Sequence, residues 1–177
     1  MAPFDPDADF SQAADWRLVL NGFVTLFWNP AILGETMAWL VEHGYQVVTA
    51  DAATWTTDAD LHRELAALLD FPDYYGANLD ALNDCLSDVA AYEYGTTRDA
   101  TGLVLVLRHY DAFAARSERT AKVVLDIFAD RARFGALIGH RMLCLVQSDD
   151  PDIRFEPVGA SSVTWNDQEW PDAKRHP

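Results

Sequence analysis

The apolar residues of the chain alternate between short unbroken runs and helically spaced stripes. The runs at 103–107 and 142–146 show no polar alternation, which is typical of strands covered on both faces, and residues 45–49 also predict a buried strand. Between and around them, apolar residues recur at three- and four-residue intervals, as in amphipathic helices. The predicted helical stripes cover residues 32–41, 61–69, 79–89 and 124–132. Strands that alternate with helices predict an α/β fold with a mainly parallel sheet.

Polar, proline and glycine residues set the boundaries of these helices. Asn29 can cap the first long helix, Pro30 suits its first position, and Gly44 is a natural stop. Pro72 blocks continuation of the next helix, and Asn78 is placed to cap the one after it.

The segment before Asn29 predicts an added β-hairpin. Apolar residues 17–20 and 23–28 flank Asn21-Gly22, a pair that tolerates the positive φ angles of a tight hairpin turn. This stretch is too apolar to stay exposed to water. Three placements therefore remain open: it widens the sheet, forms a second contact surface, or forms a dimer interface.

Composition excludes several classes of protein. Half of the 177 residues are hydrophobic, which is enough for a folded core, and no apolar run approaches the length of a membrane span. With 13 Lys+Arg against 28 Asp+Glu, the net charge of −15 disfavours nucleic acid and anionic membranes and favours a basic partner. The acidic N-terminus does not resemble a signal peptide, and Cys85 and Cys144 lie in apolar contexts that predict buried free thiols. A cytoplasmic protein is expected.

The negative charge is concentrated in one part of the chain. Residues 70–99 contain seven acids and one base, whereas residues 108–141 contain seven bases and four acids. Asp80, Asp84 and Asp88 are spaced by four, which places them on one face of a helix, opposite or beside its leucines. Such a face is usually only solvated. Here tyrosines precede the helix, and aromatic residues beside acids also suit a surface that recognises another protein.

At this segment the chain resembles a known family. Residues 72–86 carry two tyrosines, a glycine, an asparagine, and then two aspartates four residues apart. They resemble the signature of the barstar family, intracellular inhibitors of the ribonuclease barnase. Asp60-Leu61-His62 and residues 124–130 also resemble the family, so that the resemblance covers 45–147, with an insertion around 92–102.

The resemblance implies both a fold and a function. The implied fold is a small three-stranded parallel sheet packed by helices in two or three layers. The implied function is that of a cytoplasmic immunity protein, or antitoxin, which blocks the active site of a secreted microbial ribonuclease. The partner would be that basic ribonuclease or another basic toxin. No catalytic activity, cofactor or metal ion is implied.

The resemblance also assigns roles to residues. Asp84 would enter the catalytic cleft at the position of a substrate phosphate, Asp80 would meet basic residues at its rim, and Tyr74 would pack on the enzyme. The implied contact residues are Tyr74, Gly76, Asn78, Leu79, Asp80, Asn83, Asp84 and Asp130. Three residues differ from the family's type sequence: Asn83 replaces a tryptophan, and Asp88-Val89 replace Gly-Trp.

Two other functions remain open. The change at Asn83 and the terminal extensions also fit a non-inhibitory interaction module that kept the fold but binds another basic partner. A small-molecule enzyme would need a pocket near His109 or His140, which lie at predicted strand ends.

The chain is expected to form a single domain with four parts. These are a loose arm at 1–14, the hairpin and helix at 15–44, the barstar-like core at 45–147, and an extension at 148–177. The extension contains one β-like stretch, residues 162–165.

Overall fold

Five parallel strands form the sheet. The structure is a computed structural model that describes residues 13–20 and 22–169. The strands are β1 (Val24–Phe27), β2 (Tyr45–Asp51), β3 (Gly102–Arg108), β4 (Met142–Gln147) and β5 (Thr164–Trp165). Their order across the sheet is β2-β3-β4-β1-β5. The predicted α/β fold with a parallel sheet is therefore confirmed.

In the part of the chain that the structure describes, six α-helices connect and cover the strands. They are α1 (Ala14–Val19), α2 (Pro30–Glu42), α3 (Asp58–Leu68), α4 (Leu79–Ala90), α5 (Tyr110–Ala114) and α6 (Glu118–Leu137). Short 3-10 turns at Ala52–Thr54 and Asp167–Glu169 complete the described elements. None of these helices is long and apolar enough to cross a membrane.

The predicted N-terminal β-hairpin is wrong. Residues Ala14–Val19 form helix α1, and β1 pairs in parallel with β4, with Val24 opposite Cys144. A short apolar run does not distinguish a strand from one buried side of a helix, and here Leu18 is the buried residue of α1. The predicted turn residue Asn21 lies outside the described residues.

The N-terminal segment nevertheless widens the sheet. The three strands implied by the family resemblance are β2, β3 and β4, and β1 extends them at the free edge of β4. The predicted stretch at 162–165 supplies β5, which pairs with β1 through Leu26 opposite Trp165. Of the predicted loose arm, residues 1–12 lie outside the described part of the chain.

Helices cover both faces of the sheet, which gives three layers. Alternate residues of β3 point in opposite directions, as they must in a strand. Leu103 and Leu105 belong to the core formed with α3, α4 and α6, whereas Val104 and Val106 belong to the core formed with α1 and α2. The central strands are therefore covered on both faces, as their unbroken apolar runs predict.

Helix α4 is held by its apolar side. Leu82, Leu86 and Val89 are buried in the core, where full burial contributes about 1.5–3 kcal/mol per side chain of this size. Helix α4 also packs against α6. Cys85 and Cys144 are buried and not disulfide-bonded, which confirms the prediction of free thiols.

Candidate functional site

Asn78 fixes the start of α4 and the turn before it. Its Oδ1 accepts a hydrogen bond from the backbone N–H of Ala81 at 2.9 Å, and its Nδ2 donates to the carbonyl of Gly76 at 3.2 Å. The intervening Ala77 has φ 47°, in the left-handed region. The predicted helix cap at Asn78 is confirmed, and it ties the turn at Gly76 to the first turn of α4.

The two tyrosines before α4 lie in different environments. Tyr74 is 79% exposed, whereas Tyr75 is half-buried and packs its ring against Phe71. The hydroxyl of Tyr75 shares a 2.5 Å hydrogen bond with Nδ1 of His62 on α3. Burial raises the pKa of Tyr75 and lowers the pKa of His62, so both groups are neutral near pH 7. Tyr74 is thus the exposed member of the pair.

The acids of α4 fall into two kinds. Asp80 and Asp84 are exposed, one helical turn apart, and neither forms an ion pair with a described residue. Asp80 lies in the first turn, where the positive end of the helix dipole stabilises a carboxylate. Asp88 is only half-exposed and accepts a hydrogen bond from the Tyr94 hydroxyl at 3.2 Å. The predicted row of three acids therefore consists of two unpaired carboxylates and one held within the protein.

The remaining predicted contact residues on α4 and the turn before it surround this pair. Gly76 is exposed, and a Cβ added there would lie 3.1 Å from Nδ2 of Asn78, a close contact with the cap. Leu79 is half-buried against the core, and Asn83 is half-buried beside Asp84. The structure therefore brings seven of the eight predicted residues onto one surface formed by α4 and the turn that precedes it.

Asp130 lies on a different element. It is exposed on α6 and forms an ion pair with Arg133, with 3.0 Å between Oδ1 and Nη1. Arg133 also donates to the carbonyl of Gly159 in the C-terminal extension. Asp130 is therefore near residues outside the region of family resemblance.

Sequence reasoning missed Tyr94. Its hydroxyl lies 3.3 Å from the carbonyl oxygen of Cys85 as well as 3.2 Å from the carboxylate of Asp88, and its ring lies against Phe71. It connects the insertion, helix α4 and the loop before that helix. The available signal was the pair of tyrosines at the start of a small and polar link, but the link lies outside the recognised motif.

The two histidines proposed for an enzyme are engaged by their neighbours. Nδ1 of His109 lies 2.8 Å from Oδ1 of Asp51, and Nδ1 of His140 lies 3.0 Å from the carbonyl of Ala90. A cavity of about 150 Å³ between α1 and β5 includes neither histidine. Within residues 13–20 and 22–169, no group of three or more His, Cys, Asp or Glu side chains is arranged to hold a metal ion.

Comparison with known proteins agrees with the geometry. One relative is a protein of Bacillus subtilis (strain 168) named "Putative ribonuclease inhibitor YrdF", which is 70% identical over 27 residues. That match covers 15% of this chain and 30% of the length of the relative. The family model described as "Barstar (barnase inhibitor)" matches residues 45–147, more than half of the chain, including β2, β3, β4 and the acidic face of α4. This chain therefore belongs to the barstar family.

Proposed function

We propose that this chain inhibits a secreted microbial ribonuclease by placing the acidic face of α4 in the active site of the enzyme. The observation that carries the proposal is the pair of exposed carboxylates, Asp80 and Asp84, which have no counter-charge among the described residues. Membership of the barstar family and the short match to a protein named as a ribonuclease inhibitor support it.

The chemistry of ribonuclease action explains why a carboxylate can block it. An enzyme that binds RNA needs cationic side chains to hold phosphate groups. Asp84 occupies the position of one such phosphate in our proposal, and charge-assisted hydrogen bonds from Arg or Lys hold it there. Because α4 is fixed by its buried side and by its Asn78 cap, little conformational entropy is lost when the carboxylate docks.

The surrounding residues complete the interface. Asp80 meets cations at the rim of the cleft, and the exposed ring of Tyr74 supplies apolar contact area without added charge. The turn and helix start at Gly76, Asn78 and Leu79 lie between them. Asn83, beside the anchor, and Asp130, on α6, form secondary contacts.

The excess of acids also affects the rate of binding. Residues 70–99 carry seven acids and one base, a formal charge of −6, and this field attracts a basic enzyme before contact. In the cytoplasm of the producing cell, such an inhibitor serves as an immunity protein that neutralises the enzyme before secretion. The biological partner is thus a basic ribonuclease, or another toxin with a phosphate-binding cleft.

A cleavage assay tests the proposal. Secreted microbial ribonucleases, including one made by the source organism, are incubated with an RNA substrate with and without micromolar protein. We expect stoichiometric inhibition of at least the native enzyme. If no enzyme in a panel containing the native ribonuclease is inhibited, the proposal is refuted. Recovery of a non-nuclease partner from native lysate would then favour the interaction-module alternative.

Two neutralising substitutions test the anchor. Asp84→Asn keeps the shape of the side chain but loses its charge, and we expect affinity to fall roughly thirty-fold or more, mainly through faster dissociation. Glu35→Gln is the matched control, because Glu35 is exposed on α2, on the opposite face of the sheet. Added salt should slow association of the wild type. Equal affinity of the two variants would show that Asp84 is not the anchor.

A further inference from the structure

The insertion between α4 and β3 wraps around the C-terminal end of α4. Tyr92 has φ 66°, and its N–H donates to the carbonyl of Val89 while the N–H of Glu93 donates to that of Asp88. This pattern closes the helix and turns the chain sharply. Tyr92 then stacks on His140, with 3.9 Å between ring centroids.

The other side of the insertion is fixed as well. The Tyr94 hydroxyl lies within hydrogen-bonding distance of the carboxylate of Asp88 and the carbonyl of Cys85. Burial, together with the nearby Cys85 and Asp88, raises the pKa of Tyr94, so the phenol remains a donor near pH 7. Gln46 of β2 donates to the carbonyl of Gly95 at 2.9 Å. Contacts on both sides hold this part of the insertion against the helix end.

Glu93 lies between these two attachments. Tyr92 is held on the side of His140 and Tyr94 on the side of Asp88, so the chain crosses the helix end at Glu93. Glu93 is exposed and forms no ion pair with a described residue. Asp84 precedes the C-cap Ala91 by seven residues, which is about 10 Å along the helix. Glu93 therefore lies just beyond the C-terminal end of the helix that presents Asp84.

The charge of Glu93 is unfavourable for the helix itself. Carboxylates near a helix C-terminus interact unfavourably with its dipole, and no basic residue lies in the last turn of α4 to compensate. A locally unfavourable residue on a well-fixed exposed turn is expected where function requires it.

We propose that the insertion is part of the recognition surface and determines which ribonucleases fit, with Glu93 as its contact residue and Tyr94 as its positioning residue. This inference rests on the proposed function. The preferred partner has a basic active-site cleft and, on the side facing the C-terminal end of α4, an open rim with a cationic side chain. A ribonuclease with a raised or acidic rim there is excluded by shape or by charge.

Binding kinetics with a ribonuclease that the wild type inhibits test this surface. Glu93→Lys should weaken binding at least ten-fold, with slower association and faster dissociation. The control Glu35→Lys makes the same charge change on the opposite face of the sheet and should alter affinity less than three-fold. Equal effects of the two substitutions overturn the proposal but leave the proposed function intact. A wild type that inhibits no ribonuclease refutes both.

A hydroxyl deletion tests the positioning role. Tyr94→Phe should weaken binding three- to ten-fold, whereas Tyr92→Phe should not, because the Tyr92 hydroxyl makes no hydrogen bond with a described residue. Glu93→Gln should also cost less affinity in the Tyr94→Phe background than in the wild type. Additive effects of these two substitutions would show that Tyr94 does not position Glu93, and would overturn that assignment.

Discussion

Glu169 in the C-terminal extension should be essential for the stability of the fold. It is only 1% exposed, and its Oε1 accepts hydrogen bonds from the backbone N–H groups of Trp28 and Asn29, each at 3.0 Å. These groups lie where β1 ends and α2 begins, so the carboxylate also lies at the positive end of the α2 dipole. Glu169 thereby attaches the last described turn of the chain to the first long helix.

The size of the effect follows from these contacts. Glu169→Ala removes the acceptor of two part-buried N–H groups, and loss of each hydrogen bond costs about 1–3 kcal/mol. Part of this loss is offset because burial of the carboxylate is itself unfavourable, and its Oε2 has no partner among the described residues. We therefore expect Glu169→Ala to lower the free energy of unfolding by about 3 kcal/mol. Glu169→Gln retains a carbonyl acceptor and should cost only about 1 kcal/mol.

Urea unfolding followed by circular dichroism measures these differences. The midpoint should fall with an unchanged m-value, and the melting temperature should fall by about 6–12 °C for Glu169→Ala in a chain of this length. Gln168→Ala is the control, because Gln168 is exposed in the same turn. The reasoning is refuted if Glu169→Ala is no more destabilising than Gln168→Ala, or if Glu169→Gln costs as much as Glu169→Ala.

Two further predictions concern pH and backbone conformation. Burial lowers the pKa of His62 and His140 in the folded protein. Below about pH 6.5 the unfolded state therefore binds more protons than the folded state. As the pH falls, the free energy of unfolding should decrease by at most about 1.4 kcal/mol per pH unit for each histidine. Urea titrations at pH 7.5 and 5.5 test this, and His62→Gln should reduce the difference. Gly95→Ala should destabilise by at least about 2 kcal/mol more than Gly139→Ala in the same titration. Both glycines have positive φ, but an added Cβ would lie 2.5 Å from the Leu69 carbonyl oxygen at Gly95 and meet nothing within 4 Å at Gly139.

The sequence predicts the central fold because its signals there are local and consistent. The predicted strands became β2, β3 and β4, but β2 lies at the edge of the sheet and is only partly buried, where a buried strand is predicted. Asn29 and Asn78 cap α2 and α4. The hairpin prediction for the N-terminal segment was wrong because Asn21-Gly22 indicates a hairpin only if the flanking segments pair with each other. Instead β1 pairs with the edge of β4, more than a hundred residues away, an interaction that local pattern does not encode.

The same distinction applies to the candidate site. The exposure of Asp80 and Asp84 follows from the helical period relative to the apolar stripe of α4. The restraint of Asp88 by Tyr94 depends on how a loop of irregular sequence folds back on the helix. Spacing alone makes Asp80, Asp84 and Asp88 equivalent, and only the tertiary contact separates them.

The additions to the family core reach the recognition surface at two places. Helices α1 and α2 cover the opposite face of the sheet, so they support the core without touching α4. At the first place, the insertion contacts Asp88 at the end of α4. At the second, Gly159 of the C-terminal extension forms hydrogen bonds with Asp126 and Arg133 of α6. These two residues lie on either side of Asp130 in the sequence. Under the proposed function, a change of partner is therefore expected to involve these two loops and Asn83, while Asp80 and Asp84 keep the carboxylates proposed to enter a phosphate-binding cleft.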